Sequence, residues 1–127
     1  MSATESKVLY ADLSYKIVGL AMEVHRELGF GFLEKVYENS LMVLLRREGI
    51  PAAQQYPIEV KFRGEFVGIF QPDILVNEQI ILEIKSVERL TNAHTAQALN
   101  YLKATGLHLA IVLNFGKERL DSKRLVL

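Results

Sequence analysis

The stretch Gln71-Pro72-Asp73-Ile74-Leu75-Val76-Asn77-Glu78-Gln79-Ile80-Ile81-Leu82-Glu83-Ile84-Lys85-Ser86 constrains this chain more than any other. Its apolar, β-branched composition predicts two strands joined by a short turn around Asn77. Strand side chains alternate faces, so Glu83 and Lys85 point the same way, while Leu82 and Ile84 point the other. A strand serving only a core has no use for two opposite charges on one face. A strand-end ion pair between Glu83 and Lys85 accounts for them as well as a chemical site does. The turn sets a geometric condition. A two-residue loop, Asn77-Glu78, places Asp73 opposite Leu82 and sends Glu83 to the other face. A three-residue loop, Asn77 to Gln79, pairs Asp73 with Glu83 on one face. A site shared by Asp73 and Glu83 requires the second.

Two carboxylates about 4 Å apart repel by roughly 4 kcal/mol at an effective dielectric of about 20. A fold tolerates the pair if one takes a proton or a cation sits between them. Oxygen ligands favour Mg²⁺ or Mn²⁺ over zinc. Such a cation suits phosphodiester chemistry, with Lys85 as a point charge that orients the attacking water or holds a phosphate oxygen.

Upstream, Ile17, Leu20, Ala21, Val24 and Leu28 fall at helical spacing behind Asp12 or Ser14 as N-cap. His25 lies off that stripe, as a boundary histidine. Gly29-Phe30-Gly31 breaks the helix, and a second runs from near Phe32 to Glu48. Glu34 sits in its first turn, where the helix dipole favours a carboxylate whatever else the residue does. Glu38, one turn on, reads as solvated. From Gln55 the period becomes two, with Tyr56, Ile58, Val60 and Phe62 in one strand. Phe66 to Val76 forms a second, kinked or ended near Pro72, and Gln79 to Ser86 a third, apolar enough to be central. Thr91 caps a helix from Asn92 to Ala104, closed by Gly106, with His94, Gln97 and Tyr101 on one face. Leu107 to Phe115 reads as a buried strand and Arg119 to Leu127 as a polar edge strand. The order ααβββαββ predicts an α/β fold of the α+β type: one mixed central sheet flanked by helices.

The 127 residues, half of them hydrophobic, suit a single domain over 1–127, with 1–11 as a loose arm in which Val8-Leu9-Tyr10 could dock. Lys+Arg and Asp+Glu both number 15, which excludes coating nucleic acid by bulk charge. Any such contact needs a local patch, for which Arg46, Arg47, Lys61, Arg63, Lys117, Arg119, Lys123 and Arg124 are candidates, each of which also reads as an ordinary solvated charge. The absence of cysteine excludes disulfides and thiolate zinc sites. No apolar run approaches the roughly 18 residues of a membrane span, and the first residues carry no leader pattern, so no membrane association and a cytoplasmic location are expected.

The motifs also form a recognisable set. Pro72-Asp73, nine intervening residues, then Glu83-Ile84-Lys85 resembles the PD-(D/E)XK nuclease signature. Gly31-Phe32-Leu33-Glu34-Lys35-Val36-Tyr37 matches G-x-x-E-x-x-Y, the pattern of the GxxExxY proteins, a small branch of that superfamily. Gln97-Ala98-Leu99-Asn100-Tyr101 resembles the Q-x-x-x-Y element that follows the lysine in RecB-like members. The resemblance covers the chain from about His25 onward and implies a restriction-endonuclease-like core. It implies metal ligation by Asp73, Glu83 and the Ile84 carbonyl, with Glu34 as the helix carboxylate of the metal shell. Lys85 is implied to orient water, and Gln97 and Tyr101, with His94 beside them, to support the site or touch the nucleic-acid backbone. The implied cofactor is Mg²⁺ or Mn²⁺ and the implied activity hydrolysis of nucleic acid, DNA before RNA. A chain this small has little surface to track a duplex, so a homo-oligomer or a larger protein partner is expected. The competing expectation is a non-catalytic nucleic-acid-binding or protein-interaction module on the same fold.

Overall fold

The computed structural model of the protein describes residues 10–127. The expected docking of Val8 and Leu9, and most of the N-terminal arm, fall outside that range. Helix α1, Ala11–Leu28, buries Ile17, Leu20, Ala21 and Val24, the stripe its spacing predicts. Neither Asp12 nor Ser14 is its cap. The chain enters through Tyr10 in a left-handed conformation (φ 52°), which leaves Asp12 in the first turn and Ser14 in the helix body. Helix α2, Glu34–Arg47, starts two residues later than expected because Leu33 is extended, with φ −70° and ψ 155°. Its Tyr37 is fully buried and stacks on Phe115 with ring centroids 4.5 Å apart. The Tyr37 hydroxyl donates to Gly29 O at 2.6 Å and accepts from Phe32 N–H at 3.2 Å. One tyrosine therefore fixes the turn that delivers Glu34. Gly31 occupies φ 113° in that turn, a conformation open to little but glycine.

The strands are β1 (Ala52–Gln54), β2 (Ile58–Phe62), β3 (Glu65–Phe70), β4 (Ile74–Val76), β5 (Ile80–Lys85), β6 (Leu109–Asn114) and β7 (Asp121–Val126). Helix α3, Asn92–Thr105, links β5 to β6. The main sheet has the order β1-β4-β5-β6-β7, with β5 and β6 parallel and the other neighbours antiparallel. β5 is central and β7 an edge, as their sequences predict. This mixed sheet with helices on both faces is a restriction-endonuclease-like core.

Two features depart from expectation. β1 is an additional strand, three residues long and without periodicity to announce it. The stretch from Phe66 to Val76 ends near Pro72, one of the two outcomes expected for it, and resumes as β4, but β2 and β3 form their own two-stranded sheet. Gln55 at φ 53° turns the chain out of β1, and Gln71-Pro72-Asp73 turns it back into β4. Pro72 has no N–H for a ladder, so the strand ends there. Residues 55–73 thus make an excursion whose two ends meet, since Gln55 N–H donates to Asp73 O at 3.2 Å.

The sheet separates two apolar layers. Ile74, Leu82, Ile84 and Ile111 pack under α1 and α2. Leu75, Ile81, Ala110 and Val112 pack under Ala98 and Leu102 of α3. Burial of each such side chain contributes about 1.5–3 kcal/mol. Among the described residues no helix is long and apolar enough to cross a membrane.

Candidate active site

β4 and β5 pair Ile74 with Leu82, Leu75 with Ile81 and Val76 with Ile80. The loop is therefore Asn77 to Gln79, three residues long. Asn77 and Glu78 both adopt positive φ (53° and 57°), and Gln79 N–H donates to Val76 O at 2.9 Å. One step beyond Ile74–Leu82, this register sets Asp73 opposite Glu83. Both side chains fall on the α3 face, which the loop parity requires of a shared site.

Glu83 is only 8 % exposed, and its Oε1 is buried without a hydrogen-bond partner. Burial, then the neighbouring Asp73 carboxylate, push its carboxyl up from 4.5 to about 8; Glu34 adds to the rise and Lys85 opposes it. Asp73 Oδ2 accepts the Ile84 N–H at 2.7 Å. In a strand the N–H and C=O of one residue leave by the same edge, so the Ile84 carbonyl lies on the Asp73 side as well. Phe115 N–H bonds to the Lys85 carbonyl on the opposite edge at 2.8 Å, which fits that alternation. Lys85 is not ion-paired with Glu83. Among the described residues, close ion pairs join Lys16 to Glu48 and Lys35 to Glu38 instead.

Glu34, exposed at the start of α2, accepts Ser86 N–H at 3.3 Å, just past the end of β5. Ser86 Oγ donates to Phe32 O at 3.2 Å. The following residue is clamped by the fully buried Asn114, whose amide accepts from Val87 N–H (3.0 Å) and donates to Val87 O (2.9 Å). Gly116 lies so close that a Cβ there would sit 2.4 Å from the Val87 backbone. Behind this loop, the buried His25 holds Lys117 O through Nε2 at 2.7 Å, the boundary role its sequence position suggests.

Glu83 and Lys85 open onto a cleft of about 730 Å³ lined also by Gln55, Gln71, Gln97, Asn100 and Tyr101. Tyr101 stacks on Phe70 of β3 with centroids 3.7 Å apart. Its hydroxyl pKa is raised, by burial first and then by the charges of Glu83 and Asp73. The fold therefore gathers Asp73, Glu83, Ile84, Lys85, Gln97 and Tyr101 at one end of the sheet, with Glu34 at its rim. His94 does not line the cleft. Its Nδ1 accepts Thr91 N–H at 3.0 Å, closing the start of α3.

Glu38 is not solvated. It is 3 % exposed and accepts from Gln54 at 2.6 Å and Lys35 at 3.1 Å. Gln55 Nε2 lies 3.5 Å from both Glu38 Oε1 and Asp73 Oδ1, so it spans the space between α2 and the paired carboxylates. The spacing of Glu38 from Glu34, four residues on one helical face, was the available signal for its neighbourhood. Gln55 carried none, because its place opposite Asp73 follows from the pairing of β1 with β4.

The donor set fits a hard cation. It comprises two adjacent carboxylates, one with a buried oxygen that nothing in the protein satisfies, and a carbonyl on the same edge. Among the described residues no three His, Asp or Glu side chains stand ready to grip a metal. The fit is thus to a cation that keeps several of its waters, as Mg²⁺ does.

No curated protein and no solved structure matches the chain. The family model described as the PD-(D/E)XK nuclease superfamily matches residues 11–125.

Proposed function

Because the chain belongs to the PD-(D/E)XK nuclease superfamily, we propose that it is a Mg²⁺- or Mn²⁺-dependent nuclease, a single domain that hydrolyses phosphodiester bonds in DNA. Gly31, Glu34 and Tyr37, which match the G-x-x-E-x-x-Y pattern, support its assignment to the GxxExxY branch. The observation that carries the proposal is the buried, partnerless Oε1 of Glu83 against Asp73, beside the Ile84 carbonyl.

Asp73, Glu83 and the Ile84 carbonyl would hold the cation, and Glu34 would reach it through a water. The cation supplies charge that stabilises the phosphodiester transition state. Lys85 donates to the attacking water or a non-bridging phosphate oxygen and fixes its approach. Gln97 offers amide hydrogens to the strand, and Tyr101 holds the cleft wall against Phe70. The water oxygen bonds to phosphorus, a phosphorus–oxygen bond breaks, and a phosphate monoester and an alcohol leave.

The test is cleavage of labelled DNA with Mn²⁺ or Mg²⁺, abolished by EDTA, by Asp73→Ala and by Lys85→Ala. Cleavage that persists in both variants overturns the assignment.

A second reading, an interaction module, draws on one observation. Phe66, Val67 and Ile69 of β3 are 57–59 % exposed, an apolar strip that suits a protein partner or a second copy of the chain. Metal-independent binding without cleavage would favour it.

A further inference from the structure

The β2–β3 hairpin is more than a wall of the cleft. Side chains on one face of a two-stranded sheet recur every second residue, and cross-strand partners share a face. Ile58 pairs with Phe70, Val60 with Gly68 and Phe62 with Glu65. Val60, Gly68 and Phe70 line the cleft that holds Glu83 and Lys85. A β-bulge at Val67 shifts the register between Val60 and Lys61, but β2 keeps its own alternation, so Phe62 follows Ile58 and Val60 on that face to the hairpin tip, roughly 13 Å along the strand from the Ile58–Phe70 pair at about 3.3 Å per residue. There it is 62 % exposed, and the Arg63 guanidinium lies 5.3 Å from its ring centroid. An aromatic ring with a cation against it, exposed in line with a cleft, has the form of a stacking platform.

The cleft has a matching chemistry. Among the described residues that line it, Lys85 is the one cation, whereas four are side-chain amides: Gln55, Gln71, Gln97 and Asn100. Binding to a duplex draws its affinity from several cations set against phosphates. Amides reach the Watson–Crick edges of bases, and aromatic rings their faces, only where the bases are unpaired and unstacked.

We propose that the cleft takes a single, unpaired DNA strand, with amides reading base edges and Phe62, backed by Arg63, stacking a base at the hairpin tip. The proposal rests on the nuclease assignment for the identity of the ligand and names the substrate class of that site.

The test uses the whole chain in EDTA, so that binding is read without cleavage. Fluorescence anisotropy compares a short labelled single strand with the same sequence closed into a duplex. The single strand should bind at least about tenfold more tightly. Phe62→Ala and Phe62→Leu should each weaken single-strand binding by about tenfold, the loss of one stacked base, whereas Phe62→Trp should retain it. Since Phe62 is exposed, all three variants should keep the wild-type melting temperature.

Equal binding of duplex and single strand overturns the proposal. So does wild-type affinity in Phe62→Leu, or a shift from dimer to monomer in Phe62→Ala by sedimentation, which would make the tip a self-association surface. The two assignments fail separately. Selective single-strand binding without Mn²⁺-dependent cleavage sinks the nuclease and leaves the platform. Metal-dependent cleavage of duplex, unaffected by Phe62→Leu, does the reverse.

Discussion

Glu83→Gln should stabilise the metal-free protein in alkali and leave it unchanged in acid. The folded carboxyl titrates near 8, against 4.5 for the ordinary group. Between those values the folded chain holds a proton that the unfolded chain has lost. The wild type therefore loses stability at about 1.4 kcal/mol per pH unit from this one group. The favourable contribution is fully present below pH 4.5, is lost as pH rises through 8, and then levels off. The accumulated loss is about 3.5 units, or about 5 kcal/mol. Glutamine has the same shape and no charge to bury, so it escapes the loss, less whatever its amide costs in a pocket built for a carboxyl. The measurement is urea denaturation in EDTA at about pH 5 and about pH 9. The variant should match wild type in acid and exceed it by about 3–5 kcal/mol in alkali, some 10 °C or more in melting temperature for a chain of this size. A difference that does not change with pH, or a variant weaker than wild type in alkali, would refute the reasoning. Either result would mean that Glu83 is solvated or held by a partner that favours its charge.

The same proton appears on metal binding. Below pH 8, loading Mn²⁺ must displace it, so calorimetry in buffers of different ionisation enthalpy should show release of about one proton per ion, fading above pH 8. Asp73→Ala leaves the Ile84 N–H without its acceptor, and at about pH 5, where relief of carboxylate repulsion adds nothing, it should cost about 1–3 kcal/mol in urea melts. Gly116→Ala drives a methyl into the Val87 backbone; it should cost more than about 2 kcal/mol and lower nuclease turnover, because the loop carrying Ser86 to Glu34 must move. Glu38→Ala takes one of two acceptors from the Gln54 amide, which keeps Asn39 Oδ1 at 2.8 Å, and empties a buried position, and thermal melts should show a loss of about 1–3 kcal/mol.

Much of this site was legible before any coordinates. Strand alternation put Glu83 and Lys85 on one face of β5, and helical spacing put Gln97 and Tyr101 on one face of α3. These are local periodicities, which depend only on the geometry of one element. His94 shares the spacing of Gln97 and Tyr101, yet its ring is taken by the Thr91 N–H at the helix start, a contest between local hydrogen bonding and face that spacing cannot arbitrate.

What the residues left open concerned relations between elements. The apolar run from Gln71 to Ser86 dictated a hairpin, but its parity hung on whether Gln79 belonged to the loop. The structure decides this through two successive residues at positive φ, Asn77 and Glu78, which turn the chain so that Gln79 closes on Val76. Glu38 looked solvated because burial of a carboxylate depends on which donors reach it, and its donors, Gln54 and Lys35, include one from a three-residue strand without periodicity. The separation of β2–β3 into its own sheet followed from backbone turns at Gln55 and Pro72, not from side-chain pattern. Sequence alone determined which residues could share a face, since that is set by the repeat of a single strand or helix. Only the tertiary structure decided which faces meet, since that depends on the backbone angles of a few turn residues, Gln55, Asn77 and Glu78, of which Asn77 alone is marked by its residue type.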